Sequence, residues 1–329
     1  MQGILIVDKP TGWTSFDVIA KLRGVLGTKK LGHSGTLDPM ATGVLPVFCG
    51  GASKAVDLQE NHDKTYCATL RLGARTDTGD ITGETLETRP VTAGEAELLA
   101  VLPRFLGAQS QIPPMYSAVK VNGVPLYKIA RKQRAARAAD ENAAKTAAQA
   151  EKQDKTCAAV SQNGALPEIE RTPRPITVYA IEYGGSPAPG DYVLTVSCSK
   201  GTYIRTLLEA IAGEMGQLGC MASLRRTKAG TYTEADAHSL EEILAAKQAN
   251  TLESLLLPVE SVFLQLPVLS VDGFVQKHLE NGCPTSHYPA ADGRYRVHDA
   301  AGEFLGLAKI EQGVLHVEKL FCARTPENT

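Results

Sequence analysis

The sequence predicts an α+β fold with a mixed, mostly antiparallel sheet and a small β-barrel domain at its C-terminal end. Strand and helix patterns are interspersed along the chain, without the regular alternation that a doubly wound sheet requires. Hydrophobic residues make up 43% of the 329 residues, which is enough for a sizeable core. Near the end of the chain, short apolar runs are separated by glycine and charged residues, a pattern typical of a small barrel.

The first predicted elements are a strand and a capped helix. Residues Gly3–Val7 form a short apolar run that predicts a strand. Thr14 or Ser15 suits the start of the helix, and Gly27 suits its end. Apolar residues recur on one helical face between these positions, at Val18, Ile19, Leu22, Val25 and Leu26.

The same hydrophobic patterns predict further strands and a second helix. The apolar run Val44–Phe48 predicts a buried strand, and the alternation in Cys67–Leu72 and Tyr192–Cys198 predicts two more. A second helix follows, ends near Gly216 and is marked by Leu207, Leu208, Ile211 and Met215. Three short C-terminal strands are predicted at Tyr295–Val297, Phe304–Ala308 and Val314–Val317.

We divide the chain into a large domain over residues 1–260 and a small one over residues 266–329, because Pro258 and Pro267 bracket a boundary. Within the region 121–175, residues 135–150 carry nine alanines in sixteen positions. With few large apolar groups to bury, this insert could form a solvated helix or stay disordered.

Composition limits the classes of protein to which this chain can belong. A formal net charge of −2 means that nucleic-acid binding would need local basic patches. Seven cysteines with no Cys-x-x-Cys pair predict reduced thiols and no metal site. The first apolar run is too short for a signal peptide, and no run is long enough for a membrane span. We therefore expect a cytoplasmic protein.

The loop from Leu31 to Gly43 is the most informative segment, because Asp38 is its only acid. Three glycines, three hydroxyl residues and a proline surround that acid, and they predict a fixed loop. With a buried strand directly after it, the loop should hold Asp38 against the core, where a reactive group is best placed. From residue type and spacing alone, an Asp that turns or caps the loop is the commoner alternative.

Basic residues cluster in three places beside candidate site motifs. A cluster of this kind is usually a solvated face, but three of them around one candidate site favour contacts with phosphates. The clusters are Lys128, Arg131, Lys132, Arg134 and Arg137; Arg23, Lys29 and Lys30; and Arg225, Arg226 and Lys228.

The Asp38 loop resembles the loop that carries the nucleophilic aspartate of pseudouridine synthases of the TruB type. Further blocks resemble motifs of that family in the same order, and they are Gly3–Ser15, Asp63–Tyr66 with Leu72–Asp80, Gln111–Lys120, Cys198–Leu207 and Leu224–Thr227. The resemblance spans nearly the whole chain apart from the insert. It implies a mobile thumb loop in region 121–175, which is longer here than in the family, and a PUA-like RNA-binding domain at residues 266–329.

The resemblance implies isomerisation of the uridine at position 55, in the T-arm loop of tRNA, to pseudouridine without a cofactor. It assigns Asp38 as the catalytic carboxylate and places Arg205 beside it, which would keep the acid ionised. It assigns Tyr66 to stacking on the target base, with a hydroxyl that could handle the C5 proton. By residue type alone, Tyr66 fits a core aromatic and Arg205 fits a surface charge at a helix start, where a cation is mildly unfavourable.

Four further residues are candidates for substrate contacts. By resemblance, His33 fills the space left when the target nucleotide leaves its stack, a step that costs a few kcal/mol. Tyr203 and Leu224 would line the pocket around the base. Asp80 could bond the flipped nucleotide or only hold its own turn.

The expected partner is the T-arm stem-loop of tRNA, and we expect a monomer with no obligate protein partner and no membrane association. Two alternatives remain open at this point. One is a related synthase that depends on a guide RNA. The other is an RNA-binding factor that helps tRNA to fold and whose catalysis is incidental.

Overall fold

The computed structural model describes residues 1–136 and 170–321. The strands are β1 (Gly3–Lys9), β2 (Leu31–His33), β3 (Thr42–Cys49), β4 (Lys64–Leu72), β5 (Ala74–Thr76), β6 (Thr85–Thr88), β7 (Gly107–Gln111), β8 (Lys120–Val121), β9 (Val124–Pro125), β10 (Arg174–Tyr183), β11 (Asp191–Cys198), β12 (Gly219–Ala229), β13 (Tyr232–Thr233), β14 (Val268–Ser270), β15 (Gly293–His298), β16 (Phe304–Glu311) and β17 (Val314–Leu320).

The helices are α1 (Ser15–Leu26), α2 (Glu95–Val101), α3 (residues 126–136), α4 (Ile204–Glu214), α5 (Leu240–Gln248) and α6 (Gly273–Glu280). Short 3-10 segments lie at Gly50–Leu58, Leu102–Phe105, Glu234–Asp236, Leu252–Leu255 and Val259–Phe263. Most of the predicted Ala-rich insert lies outside the described residues. Within the described ranges, no helix is both long and apolar enough to cross a membrane.

The chain forms two compact units. Unit 1 comprises residues 1–66 and the described residues from 224 onward, and unit 2 comprises residues 67–223. The division falls inside β4 and β12, so both strands pass from one unit into the other. The predicted boundary between residues 260 and 266 stays a prediction.

Strand β3 lies between two partners in unit 1. β1 pairs with it antiparallel, from Gly3 opposite Cys49 to Lys9 opposite Gly43. β2 also pairs with it antiparallel, starting at Leu31 opposite Cys49. At the other end of β3, two residues of β12 pair with it in parallel.

The prediction of one loop from Leu31 to Gly43 is wrong at its two ends. Leu31–His33 is strand β2, and Thr42 and Gly43 begin β3. A strand of three residues has too few positions for an alternating pattern, so its only signal is the neighbour whose backbone groups it satisfies. The irregular loop that remains runs over residues 34–41.

Helix α1 forms as predicted, with Thr14 as its N-cap and Gly27 at its C-terminal end. Thr14 Oγ1 accepts from the backbone N–H of Asp17 at 3.0 Å, and Asp17 Oδ2 accepts from the N–H of Thr14 at 2.8 Å. This reciprocal pair satisfies two N–H groups that the helix start leaves without partners. Gly27 has φ 62°, a left-handed conformation that favours glycine.

Strand β1 is buried on both faces. Leu5 and Val7 pack in the core beneath α1 and α5. Ile4 and Ile6 face the opposite way, into a core that includes Phe321. Burial on both faces explains why β1 reads as a continuous apolar run rather than as an alternating one.

The C-terminal residues of unit 1 form a separate four-stranded sheet in the order β14-β15-β16-β17. The three predicted strands are confirmed within longer bounds, and β14 joins them in parallel with β15. Phe263, Phe304 and Phe321 pack together with ring centroids 5.9–6.4 Å apart. Closure of this sheet into a barrel stays a prediction.

Unit 2 holds a second antiparallel arrangement, in which β10 lies between β11 and β7. The predicted strands Cys67–Leu72 and Tyr192–Cys198 are confirmed within β4 and β11, and the predicted second helix is α4. Antiparallel pairs predominate in both units, which confirms the predicted fold class.

A matched pair of glycine substitutions tests the packing of β3. Gly43 has φ 98°, and a Cβ built there lies 2.2 Å from the carbonyl oxygen of Arg226. Gly43→Ala should therefore lower the free energy of unfolding by at least about 2 kcal/mol, because two backbones must separate. Gly24, inside α1, has no atom within 4 Å of the same position, so Gly24→Ala should stabilise by up to about 1 kcal/mol. Urea denaturation of both variants measures the difference, and equal effects would contradict this account.

Candidate active site

The loop that carries Asp38 is fixed to α1 by its own backbone. The N–H of Leu37 donates to Ser15 Oγ at 2.9 Å, and Ser15 is buried in the first turn of α1. The N–H of Ala41 closes a turn onto the carbonyl of Asp38 at 3.1 Å. Asp38 itself is half-buried. A carboxylate on a loop held in this way has a defined position.

Lys9 is a buried cation beneath this loop. Its Nζ donates to the carbonyl oxygens of Pro10 at 2.8 Å, Trp13 at 2.6 Å and Pro39 at 3.2 Å. Burial lowers the pKa of Lys9 to about 8, even though the negative charge of Asp38 acts to raise it. The sequence analysis assigned no role to Lys9. Its signal was a charge at the end of an apolar strand, directly before a proline.

Arg226 is a second buried cation in unit 1, and no part of its surface is exposed. Its Nε donates to the carbonyl of Val44 at 2.7 Å, and its Nη2 donates to the carbonyl of Gly35, in the Asp38 loop, at 3.0 Å. The Tyr66 side chain interacts electrostatically with Arg226. Among the described residues, no carboxylate lies within ion-pair distance of Arg226, and burial lowers its pKa.

Tyr66 and His33 are the other predicted site residues near this cation. Tyr66 lies on β4 and is buried, as a core aromatic would be, and its side chain interacts electrostatically with Arg226. His33 ends β2, and burial together with the charge of Arg226 lowers its pKa. His33 is therefore a neutral imidazole at neutral pH. Its Nδ1 has no hydrogen-bond partner in the described part of the chain.

In the third predicted basic cluster, the prediction of a phosphate contact is wrong for Arg226. Arg226 is buried, and Arg225 pairs with Asp8 at 2.8 Å and with Glu234. Successive side chains of a strand point to opposite faces. In β12, Arg226 therefore points into the core, whereas Arg225 points toward Asp8 and Glu234. Lys228 is the remaining exposed cation of that cluster, and Leu224 on the same strand is buried.

In the other two clusters, every described cation except Arg134 is exposed and available for contacts with phosphates. Arg134 pairs with Glu84 at 2.7 Å and lies 3.8 Å from Asp77. Arg137 lies outside the described residues. The exposed members are Arg23, Lys29, Lys30, Lys128, Arg131 and Lys132.

Arg205 is buried in the first turn of α4, so the alternative of a surface charge is wrong. Its Nη1 donates to the carbonyl of Thr78 at 2.7 Å, and its Nη2 donates to the carbonyl of Tyr116 at 2.7 Å. Arg205 thereby joins two loops of unit 2 to the start of α4. Its pairing with Asp38 stays a prediction.

Gln111 fixes the backbone of Tyr203 in unit 2. The amide of Gln111 donates to the carbonyl of Tyr203 at 3.1 Å, and its Oε1 accepts from the N–H of Tyr203 at 2.8 Å. Tyr203 is the N-cap residue of α4, directly before Ile204 and Arg205. The sequence analysis placed Gln111 in a family motif but gave it no role, because a two-way amide clamp has no signature in spacing.

Asp80 is buried in a turn of its own making. Its Oδ1 accepts from the backbone N–H of Thr82 at 2.9 Å, from Thr82 Oγ1 at 2.6 Å and from Thr78 Oγ1 at 2.9 Å. These contacts fit the alternative in which Asp80 holds its turn. A contact with substrate stays a prediction.

The predicted site residues therefore occur in two groups. Asp38, Tyr66, His33 and Leu224 belong to unit 1, and the first three interact electrostatically with Lys9 or Arg226. Tyr203, Arg205 and Asp80 belong to unit 2. Within residues 1–136 and 170–321, no three His, Cys, Asp or Glu side chains converge as a metal site requires.

Two family models match the chain, TruB family pseudouridylate synthase (N terminal domain) at residues 23–152 and tRNA pseudouridylate synthase B C-terminal domain at residues 205–264. A tRNA pseudouridine synthase B of Pseudomonas fluorescens is 38% identical over 319 residues, which cover 95% of this chain and 92% of the relative. One of Burkholderia mallei is 37% identical over 328 residues, 97% of each chain. The chain belongs to the TruB family of pseudouridylate synthases.

Solved structures agree with the fold of a TruB family member. A crystal structure of a Cbf5-Nop10-Gar1 complex contains a chain that matches with a TM-score of 0.67 at 23% identity, over 98% of this chain and 85% of that one. An H/ACA RNP bound to a substrate RNA containing 2′-deoxyuridine gives a TM-score of 0.67 at 20% identity, over 98% and 86%. At this identity the likeness shows the fold alone.

Because Lys9 is buried, the free energy of unfolding of this TruB family member should change with pH in the alkaline range. The folded-state pKa of about 8 lies below the ordinary value of 10.5, so between these pH values the unfolded chain binds more protons than the folded one. The free energy of unfolding of the parent, minus that of Lys9→Met, should therefore rise across this window, by at most about 3 kcal/mol.

Below about pH 8 that difference should be constant, because Lys9 is then charged in both states. Urea denaturation at a series of pH values measures it. Lys247→Met is the control, because Lys247 is exposed on α5 and should give a difference that does not change with pH. A flat difference for Lys9→Met as well would mean that Lys9 keeps an ordinary pKa.

Proposed function

We propose that this chain isomerises a uridine of tRNA to pseudouridine, at position 55 in the T-arm loop. The observation that carries the proposal is a single carboxylate, Asp38, on a loop held over two buried cations. The chain is also 38% identical to a tRNA pseudouridine synthase B over 95% of its length.

The reaction breaks the N-glycosidic bond and forms a carbon–carbon bond between the same sugar and base, without redox change or energy input. One ionised carboxylate close to the sugar or base can begin it, by attack on C1′, by addition to C6 or by removal of a 2′ proton. All three routes need a charged Asp38. The positive charge of Lys9 favours that form, and Arg205 would add to it if it pairs with Asp38.

We further propose that the target uridine leaves its stack before it reacts. A neutral His33 can then stack on the bases beside the gap and offset part of the unstacking cost. Tyr66 would stack on the flipped base and handle the C5 proton, with Tyr203 and Leu224 as walls of the pocket. After the new bond forms, C5 still carries its proton, so a base within reach must remove it.

The proposed setting is a cytoplasmic monomer that acts on tRNA directly, with its exposed cations on phosphates. A synthase that depends on a guide RNA would need that RNA for turnover. Isomerisation of a bare T-arm stem-loop by the purified chain alone therefore separates the two readings. A factor that only helps tRNA to fold would bind the same RNA without changing it.

Asp38→Asn should abolish isomerisation and leave RNA affinity within about tenfold of the parent. The amide keeps the size of the side chain but cannot act as nucleophile or base, whereas binding is spread over many contacts. Single-turnover formation of pseudouridine and a binding titration measure the two effects. Asp57→Asn is the matched control, because Asp57 is an exposed acid in the same unit. Parental turnover by Asp38→Asn would remove Asp38 from the mechanism.

RNA affinity should fall steeply with salt, because the exposed cations displace counterions from the phosphates. Lys29→Gln and Lys30→Gln should each reduce the slope of log affinity against log salt by about 0.7 to 0.9. Lys247→Gln, with the same loss of charge on α5, should leave that slope unchanged. Binding titrations at several salt concentrations provide the slopes, and equal slopes for all three variants would show that Lys29 and Lys30 are ordinary surface.

A further inference from the structure

The side chain of Arg205 bridges two segments of unit 2, the turn 77–84 between β5 and β6 and the loop 112–119. Its Nη1 donates to the carbonyl of Thr78 and its Nη2 to the carbonyl of Tyr116, both at 2.7 Å. An arginine side chain has several rotatable bonds, so the fixed start of α4 does not by itself orient the guanidinium. The orientation of this planar group depends on where the two carbonyls lie.

Asp77 joins the same two segments by a separate contact. Its Oδ2 accepts from the hydroxyl of Tyr116 at 3.2 Å, and its Oδ1 accepts from the N–H of Glu84 at 2.7 Å, which closes the turn. Tyr116 is therefore held at both ends, by its carbonyl on Arg205 and by its hydroxyl on Asp77. Burial and the negative charge of Asp77 raise the pKa of Tyr116, so the hydroxyl keeps the proton that it donates.

Helix α3 connects the loop 112–119 to the turn 77–84 a second time. At the start of α3, two backbone N–H groups donate to carbonyls of the loop at 2.8 and 3.1 Å. Near the end of α3, Arg134 pairs with Glu84 at 2.7 Å and lies 3.8 Å from Asp77 Oδ2. Both connections therefore end at the same carboxylate or at the turn that it closes.

These contacts are poorly placed to stabilise the fold. Asp77 and Tyr116 are only half-buried, and the side chains of Arg134 and Glu84 are 39% and 61% exposed. Pairs at such positions contribute little to the free energy of unfolding. Their geometric effect is larger, because a displacement of about 1 Å in a catalytic group can lower a rate by about a hundredfold.

We propose that Asp77 and Tyr116 are positioning residues for the isomerisation, which act through Arg205 by fixing the two carbonyls to which its guanidinium is bonded. This inference rests on the proposed function, in which Arg205 pairs with Asp38 and keeps it ionised. Neither residue contacts the reacting atoms or exchanges a proton. Their contribution is to hold Arg205 in one orientation before the RNA arrives, so that no binding energy is spent on ordering it.

The test is Tyr116→Phe, which removes the hydroxyl and nothing else. Single-turnover formation of pseudouridine in a tRNA transcript, at a series of enzyme concentrations, gives a maximal rate and a half-saturating concentration. The maximal rate should fall by about tenfold or more. The half-saturating concentration should stay within about twofold of the parent, because RNA contacts are unchanged. The melting temperature should stay within about 2 °C.

Tyr183→Phe is the matched control. The hydroxyl of Tyr183 also donates to a carboxylate of unit 2, Glu95 Oε2, at 2.8 Å, but neither residue contacts Arg205 through the bonds described above. This variant should keep the maximal rate of the parent. An equal loss of rate in both variants would show a general effect of removing a phenol hydroxyl, and it would overturn the proposal.

Two double-mutant combinations follow the effect to Asp77 and to Arg205. Asp77→Asn leaves one oxygen for two donors, so it should also be slow, and adding Tyr116→Phe should reduce its rate by less than about threefold. In the Arg205→Lys background, Tyr116→Phe should cost less than about twofold, because an ammonium group does not bridge the two carbonyls in a fixed plane.

The proposal is overturned if Tyr116→Phe keeps the maximal rate of the parent, or if its full loss of rate persists in the Arg205→Lys background. If Arg205→Lys has no measurable rate, a crystal structure of Tyr116→Phe decides instead, and an unchanged bond from Arg205 Nη2 to the carbonyl at position 116 overturns the proposal. The parent is assayed alongside. A parent that forms no pseudouridine refutes the proposed function, whereas an active parent with an equally active Tyr116→Phe refutes only this inference.

Discussion

The loop that carries Asp38 rests on two buried cations, and the surrounding part of unit 1 is arranged so that these charges are tolerated. Backbone carbonyl oxygens accept hydrogen bonds from the side chains of Lys9 and Arg226. Such oxygens carry only partial charges, so they compensate for a buried cation incompletely. The residual positive potential is available to a negative charge placed above it, and Asp38 is the acid on that loop.

This electrostatic arrangement requires rigidity, since a buried charge that can reach water gains hydration by moving. The strand β3 provides the rigidity, because β1 and β2 both pair with it and Gly43 lets β12 approach closely. The same strand accepts from Arg226 through Val44. The backbone of β3 therefore both pairs with its neighbouring strands and accepts a hydrogen bond from the buried guanidinium of Arg226.

Much of this could be predicted from local sequence, and the parts that could not are those that depend on distant neighbours. Helix α1 carries its own start, face and end in Thr14, its apolar positions and Gly27. The burial of Arg226 depends on which face of β12 meets the core, and two adjacent arginines look alike in sequence. The turn of Asp80 is local and was one of the two alternatives that the sequence offered, whereas Gln111 owes its contact to Tyr203, which lies 92 residues further along the chain. For the same reason, a short strand such as β2 is recognised only by its pairing with β3.

The shared core of β1 and the C-terminal sheet has a consequence for how the chain is made. Ile4 and Ile6 pack in the same core as Leu307 and Phe321, and Gln2 donates to the carbonyl of Phe321 at 2.9 Å. At a synthesis rate of about 5–20 residues per second, tens of seconds pass between the synthesis of β1 and the emergence of these partners from the ribosome. Val44 and Phe48 emerge early and share this core, but the part of it that Leu307 and Phe321 cover stays open during that time, so the nascent chain exposes apolar surface that the finished protein buries.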